Sequence, residues 1–210
     1  MALASKPQKM TVEEFLVWHE EQDVRHELID GIPYPKHATW TAMAGAELAH
    51  GLVCNNVSAA ITGPVVERGC EVLGPDAAVR TAIDQIRYPD LTVTCSDEIE
   101  GYEVVDPKLV VEVLSRSTKL YDLRDKRAEY QRLASLLYIL FVDPVLKRAK
   151  LHSREPGENW TSQIYFEPEH RIEMPLIGAS ITLATMLRRV PGEWPATKGN
   201  MTEATMWLDD

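Results

Sequence analysis

The chain has 210 residues, 45% of them hydrophobic, and carries a formal net charge of −10 at pH 7. This length suits one compact domain with a sizeable core, while the longest apolar run, Leu136 to Val142, is far too short to span a bilayer. The acidic balance excludes nucleic-acid binding by bulk charge over the whole surface. Cys54, Cys70 and Cys95 are odd in number and outside any CxxC spacing, so they read as three core thiols, with neither a disulfide framework nor a zinc cluster indicated.

The N-terminal segment MALASKPQKM lacks the apolar run of a signal peptide, which gives a cytoplasmic expectation and no membrane partner. Thr11 and Glu14 form a capping box, and Phe15, Leu16 and Trp18 supply the apolar side of a short helix ending near Glu21. VRHELIDGIPY then places Asp30-Gly31 between two extended runs, the signature of a tight hairpin, with Glu27 on its first strand. From Thr41 to Thr62, Met43, Leu48, Leu52, Val53, Val57 and Ile61 recur at helical spacing, and Gly63-Pro64 is expected to stop the helix.

Short β-type runs follow at 70–73, 77–83, 87–95 and 108–114 and are expected to form the centre of a sheet. Leu120, Leu123, Arg127, Tyr130 and Leu133 predict a helix over 120–134, and 136–143 reads as a buried strand. A strand, helix, strand order implies a parallel crossover. Runs at 148–152 and 161–167 predict an antiparallel extension, and 181–188 a short closing helix. Residues 1–190 therefore read as a single domain and 191–210, rich in Pro and Gly, as a loosely held tail.

The informative residue is Glu112, alone among Val and Leu in KLVVEVL. A buried, unpaired carboxylate costs several kcal/mol or loses its charge, so a neutralising partner is expected. Side chains alternate along a strand, which puts Glu112 with Val110 and Leu114, and in RYPDLTVTC puts Asp90 with Tyr88, Thr92 and Thr94. If the two strands are neighbours, the carboxylates converge, and a hard divalent cation such as Mg²⁺ would relieve their repulsion. Residues 116–132 add a local basic segment, with Arg116, Lys119, Arg124, Lys126, Arg127 and Arg132 against Asp122, Asp125 and Glu129.

These stretches, RYPDLTVTC, DPKLVVEVLSRSTKLYDLRDKRAEYQRLASLLYILFVDP and the upstream HELIDG, resemble the Uma-type restriction endonuclease family of the PD-(D/E)XK nuclease superfamily. The resemblance covers about residues 10–190 and is most specific from Glu112 through Ser115, Thr118, Asp122, Lys126 and Tyr130. It implies an α/β fold with a restriction-endonuclease-like core, a mixed central sheet flanked by helices, an N-terminal helix and hairpin, and a C-terminal antiparallel extension. It also implies that Pro89-Asp90 is the superfamily's PD pair and Glu112 the second acidic metal ligand. The usual lysine two places after the glutamate is replaced by Leu114, and Lys126 on the following helix stands where this family supplies one.

The implied chemistry is Mg²⁺-dependent hydrolysis of DNA phosphodiester bonds, with Mn²⁺ as a possible substitute metal and a homodimer as the expected assembly. Catalysis would fall to Asp90, Glu112, Lys126 and Glu27, with Asp90 and Glu112 holding the metal. Asp76 and His50 are auxiliary candidates, and Arg116, Lys119 and Arg124 are candidates for nucleic-acid contact. One alternative is a degenerate nuclease fold that binds nucleic acid or protein without cutting, favoured by Leu114 and the acidic charge. Another is a carboxylate pair used for glycoside hydrolysis, disfavoured by the basic segment. The acidic loop 96–106 lacks calcium-loop spacing, and no P-loop, GxSxG or HExxH occurs.

Overall fold

The computed structural model describes residues 9–36, 46–115 and 122–194. Helix α1 (Val12–Glu20) opens on the expected capping box, in which the Thr11 hydroxyl accepts from the Glu14 N–H and the Glu14 carboxylate accepts from the Thr11 N–H. Strands β1 (His26–Ile29) and β2 (Ile32–Pro35) pair antiparallel. They turn through Asp30 and Gly31, both left-handed at φ 51° and 78°.

Helix α2 (Ala46–Glu67) does not stop at Gly63-Pro64 as the sequence predicts, but continues one more turn. Pro64 removes one donor from the helical ladder. Val65 beyond it is fully buried, and the packing of that turn outweighs the missing bond.

Strands β3 (Glu71–Leu73), β4 (Val79–Ala82), β5 (Gln85–Arg87), β6 (Leu91–Thr94) and β7 (Pro107–Val113) follow. Two expectations change here. The 77–83 run does not enter the central sheet; β4 pairs with β5 and joins the hairpin in a separate four-stranded sheet ordered β2-β1-β5-β4. The 87–95 run is not one strand either, because the chain leaves β5 at Arg87, passes through Tyr88-Pro89-Asp90 and only then becomes β6. Proline has no N–H to give a ladder, so a break between sheets falls naturally there.

The thiols also require a correction. Pairing of Glu71 with Thr94 in the β3–β6 register sets Cys70 opposite Cys95, and the two form a disulfide. Only Cys54 is a free thiol. Cross-strand register decides that pairing, and residue spacing alone does not reveal it.

Beyond β7, a π-helical turn at Asp122–Lys126 runs straight into a single α-helical turn, α3 (Arg127–Tyr130), shorter than the helix expected over 120–134. Strand β8 (Tyr138–Asp143) lies parallel to β7, as the crossover required. Strands β9 (Arg148–Ser153) and β10 (Thr161–Tyr165) extend the sheet antiparallel. A hairpin the sequence did not reveal, β11 (Arg171–Met174) with β12 (Ala179–Thr182), takes the first residues of the expected closing helix, which begins instead as α4 (Leu183–Met186).

The central sheet is mixed and ordered β10-β9-β8-β7-β6-β3. On one face Leu91, Val93, Leu109, Val111 and Val113 pack against Val53, Val57, Ile61 and Val65 of α2. On the other, Val110, Leu114, Ile139 and Phe141 pack against Leu123 and Tyr130. The alternation read from KLVVEVL is therefore real, and it assigns Glu112 to the second face. Arg116, Lys119 and residues 195–210, most of the expected tail, lie outside the described residues. Among the described residues no helix is long and apolar enough to cross a membrane.

Candidate active site

β6 and β7 are antiparallel neighbours with Leu91 opposite Val111, which sets Asp90, one residue before β6, across from Glu112. The pairing continues past the strand end: the Asp90 N–H donates to the Val111 carbonyl at 3.0 Å, and the Val113 N–H donates to Asp90 Oδ2 at 2.7 Å. Both carboxylates are buried. Each is met by cations carried on other elements.

Asp90 is reached by His50 from α2, Nε2 to Oδ2 at 3.1 Å, and by Lys36 at the end of β2, Nζ to Oδ1 at 3.6 Å. Lys36 also donates to the Tyr88 carbonyl. Burial works against charge on Asp90, but the His50 hydrogen bond, Lys36 and the Val113 N–H hold its carboxyl well below the usual carboxylate range. Burial also opposes charge on His50, whose hydrogen bonds to Asp90 and to Cys54 nevertheless push the imidazole up to about 10.

Glu112 accepts from the Tyr130 hydroxyl at 2.6 Å and the Lys126 ammonium at 3.1 Å, both on Oε1. Lys126 and Tyr130 are four residues apart, so one side of the short helical segment presents both. Burial and the Glu112 charge push the Tyr130 phenol well above its ordinary range, which keeps its proton available as a donor.

Lys126 also faces Glu27 Oε1 at 3.6 Å. Glu27 Oε2 accepts from Arg87 at 2.9 Å, and Arg87, fully buried, makes two further bonds to Glu129 at 2.7 and 2.6 Å. Thr81 donates to the same Glu129 carboxylate at 3.2 Å. Burial disfavours the charged form of Glu27, but Lys126, Arg87 and Lys36 outweigh it and lower its pKa. Four carboxylates are thus interleaved with Lys36, Lys126, Arg87 and His50. Alternating charges of this kind make burial tolerable and fix each side chain in place.

Of the residues singled out in the sequence, Asp90 and His50 fall in one ion-paired group with Lys36, and Glu112, Lys126 and Glu27 in a second with Arg87 and Glu129; Lys36 is near enough to act on Glu27 as well. Asp76 joins neither: it is exposed and ion-paired with Arg25 at the surface. Arg124 is exposed on the π-helical turn. Leu114, in the place of the usual lysine, is buried in the apolar cluster beneath Tyr130, so no ammonium comes from that position. Sequence reading missed Lys36, Arg87 and Glu129. Glu129 had a signal, since it sits one helical turn beyond Lys126; Arg87, read as the start of a strand, and Lys36 had none.

Asp90, just before β6, and Glu112 on β7 face one another in register, offer only hard oxygen donors, and include one carboxylate held ionised. That donor set fits Mg²⁺ or Mn²⁺.

Comparison with known proteins gives the family and the fold. The model of a family described as "Uma2: Putative restriction endonuclease" matches residues 12–186. The uncharacterized protein slr1290 of Synechocystis sp. is 28% identical over 183 residues, covering 86% of this chain and 92% of that one. A second uncharacterized Synechocystis protein, sll1609, is 24% identical over 165 residues, 76% of this chain and 89% of the other. A crystal structure from Anabaena variabilis, described as "a putative nuclease belonging to DUF820", superposes with a TM-score of 0.63 at 15% identity, over 85% of this chain and 97% of that one. It shares the fold.

Proposed function

The chain belongs to the Uma2 family, and from that premise we propose that it is a divalent-metal-dependent endonuclease that hydrolyses DNA phosphodiester bonds. The observation carrying this reading is the facing pair Asp90 and Glu112, each accompanied by a lysine: Lys36 at 3.6 Å and Lys126 at 3.1 Å.

Asp90 and Glu112 would hold Mg²⁺, or Mn²⁺ in its place. Bound there, the ion would make a coordinated water acidic enough to act as nucleophile and offset charge on the phosphoryl oxygens. The protein's own contributions are positional. Tyr130 orients Glu112 through its hydroxyl, and the Val113 N–H orients Asp90. Lys126, between Glu112 and Glu27, would turn its ammonium toward the negative charge that builds on the phosphate. Lys36 is the second such cation. Glu27, held by Arg87, would accept a proton from the attacking water. Arg124 is the exposed cation available to a flanking phosphate, and two such sites on a homodimer would cut both strands of a duplex.

A second reading, binding without cleavage, is favoured by one observation: Leu114 is buried in the apolar cluster where the superfamily's lysine is usual. A plasmid-nicking assay separates the two. Cleavage that appears with Mg²⁺ and stops with EDTA supports the nuclease; DNA retained in a gel shift but never cut supports the binder.

A further inference from the structure

His50 and Cys54 lie one turn apart on α2 and so share a face, and that face meets Asp90. Cys54 Sγ is 3.6 Å from His50 Nδ1, and His50 Nε2 is 3.1 Å from Asp90 Oδ2. One ligand atom from each of the three residues can be chosen so that all lie within 4.8 Å of one another.

We propose that His50, Cys54 and Asp90 form a second metal site, specific for a borderline transition ion of the Zn²⁺ class and distinct from the all-oxygen pair Asp90 and Glu112. The argument is one of donor chemistry. Thiolate and imidazole discriminate against Mg²⁺ and favour Zn²⁺, Co²⁺ and their neighbours, whereas carboxylates alone do the reverse. Bond lengths of about 2.0–2.3 Å around a tetrahedral ion set its ligand atoms roughly 3.3–3.8 Å apart, so the three donors need to draw together by only about 1 Å.

The surroundings suit such a site. Asp90 is fixed by the Val113 N–H at 2.7 Å, an outer partner of the kind that orients metal-binding carboxylates. The His50 side chain is 34% exposed, which leaves an approach from solvent, and three protein donors leave the fourth position of a tetrahedron for water. Cys54 is the one cysteine outside the disulfide. Because Asp90 belongs to both donor sets, an ion bound to the thiolate would withdraw a ligand from the Mg²⁺ pair. That consequence for cleavage rests on the nuclease reading; the binding of the borderline ion does not.

The test is a titration of the full chain with Co²⁺ alone, followed by absorption spectroscopy, with wild type, Cys54→Ser and His50→Ala in parallel. Wild type is expected to develop a thiolate-to-cobalt charge-transfer band together with the intense visible bands of tetrahedral cobalt, and Zn²⁺ is expected to bleach both. Cys54→Ser should lose the charge-transfer band, and His50→Ala should bind at least tenfold more weakly. Melting curves taken without metal identify any variant that fails to fold, and the wild-type spectrum alone remains decisive. No charge-transfer band in wild type, or an undiminished band in Cys54→Ser, overturns the proposal. Cobalt binding in a protein that does not cut DNA would uphold this site while refuting the nuclease, and cutting without a cobalt–thiolate band would do the opposite.

Discussion

The Tyr130 hydroxyl donates to Glu112 Oε1 at 2.6 Å, so the carboxylate in the middle of an apolar strand receives a neutral donor on the oxygen that Lys126 also meets. Tyr130 is fully buried, and its ring packs with Leu114 and Phe141 beneath the site. One residue thereby joins the apolar core to the polar cluster.

Replacing Tyr130 by Phe keeps the ring and removes the donor. The buried Glu112 then loses a hydrogen bond to a charged group, a loss of about 1–3 kcal/mol. Urea denaturation of Tyr130→Phe should show a lower midpoint with an unchanged slope.

Arg87, fully buried, holds Glu27 and Glu129 together. Arg87→Met fills a similar volume but takes the bidentate cation from buried Glu129 and leaves Glu27 with Lys126 alone at ion-pair distance among the described residues, and breaking a buried pair in this way costs about 3–5 kcal/mol. The expected result is a variant much less stable than Tyr130→Phe. A melting temperature close to wild type would show that the network contributes little.

The pH dependence has a definite sign. Glu27 titrates below its ordinary value of 4.5 in the folded chain. Below that value the unfolded chain takes up protons first, so the stability due to Glu27 is fully present above it and is lost as pH falls through the folded pKa. Glu27→Gln should therefore be less stable than wild type at neutral pH, and the gap in melting temperature should close as pH falls below 4.5. A gap that stays constant across this range would exclude Glu27 as an ionised member of the network.

Much of this site is legible from sequence because it depends on local rules. Alternation along KLVVEVL put Glu112 on the face of Val110 and Leu114, and the crossover to β8 followed from element order. Alternation along RYPDLTVTC does not reach Asp90, because the strand begins only at Leu91. Arg87 was not legible, since its role depends on the chain changing sheets at Pro89, and a proline within a polar strand run reads equally well as an edge. Lys36 reaches Asp90 only through a tertiary contact between the end of β2 and the segment joining β5 to β6. The Cys70–Cys95 bond and the persistence of α2 beyond Pro64 are likewise set by tertiary packing, through β-register in one case and the burial of Val65 in the other. Local pattern identifies the strand-borne Glu112; long-range packing selects the cations that meet it and Asp90.

The most direct measurement is the rate of Mg²⁺-dependent cleavage of a labelled DNA duplex by wild type, Asp90→Asn and Glu112→Gln at equal concentration. Both substitutions preserve shape and remove one negative charge, so the account predicts that each lowers the rate by at least about a hundredfold. Cleavage by either variant at the wild-type rate would contradict it.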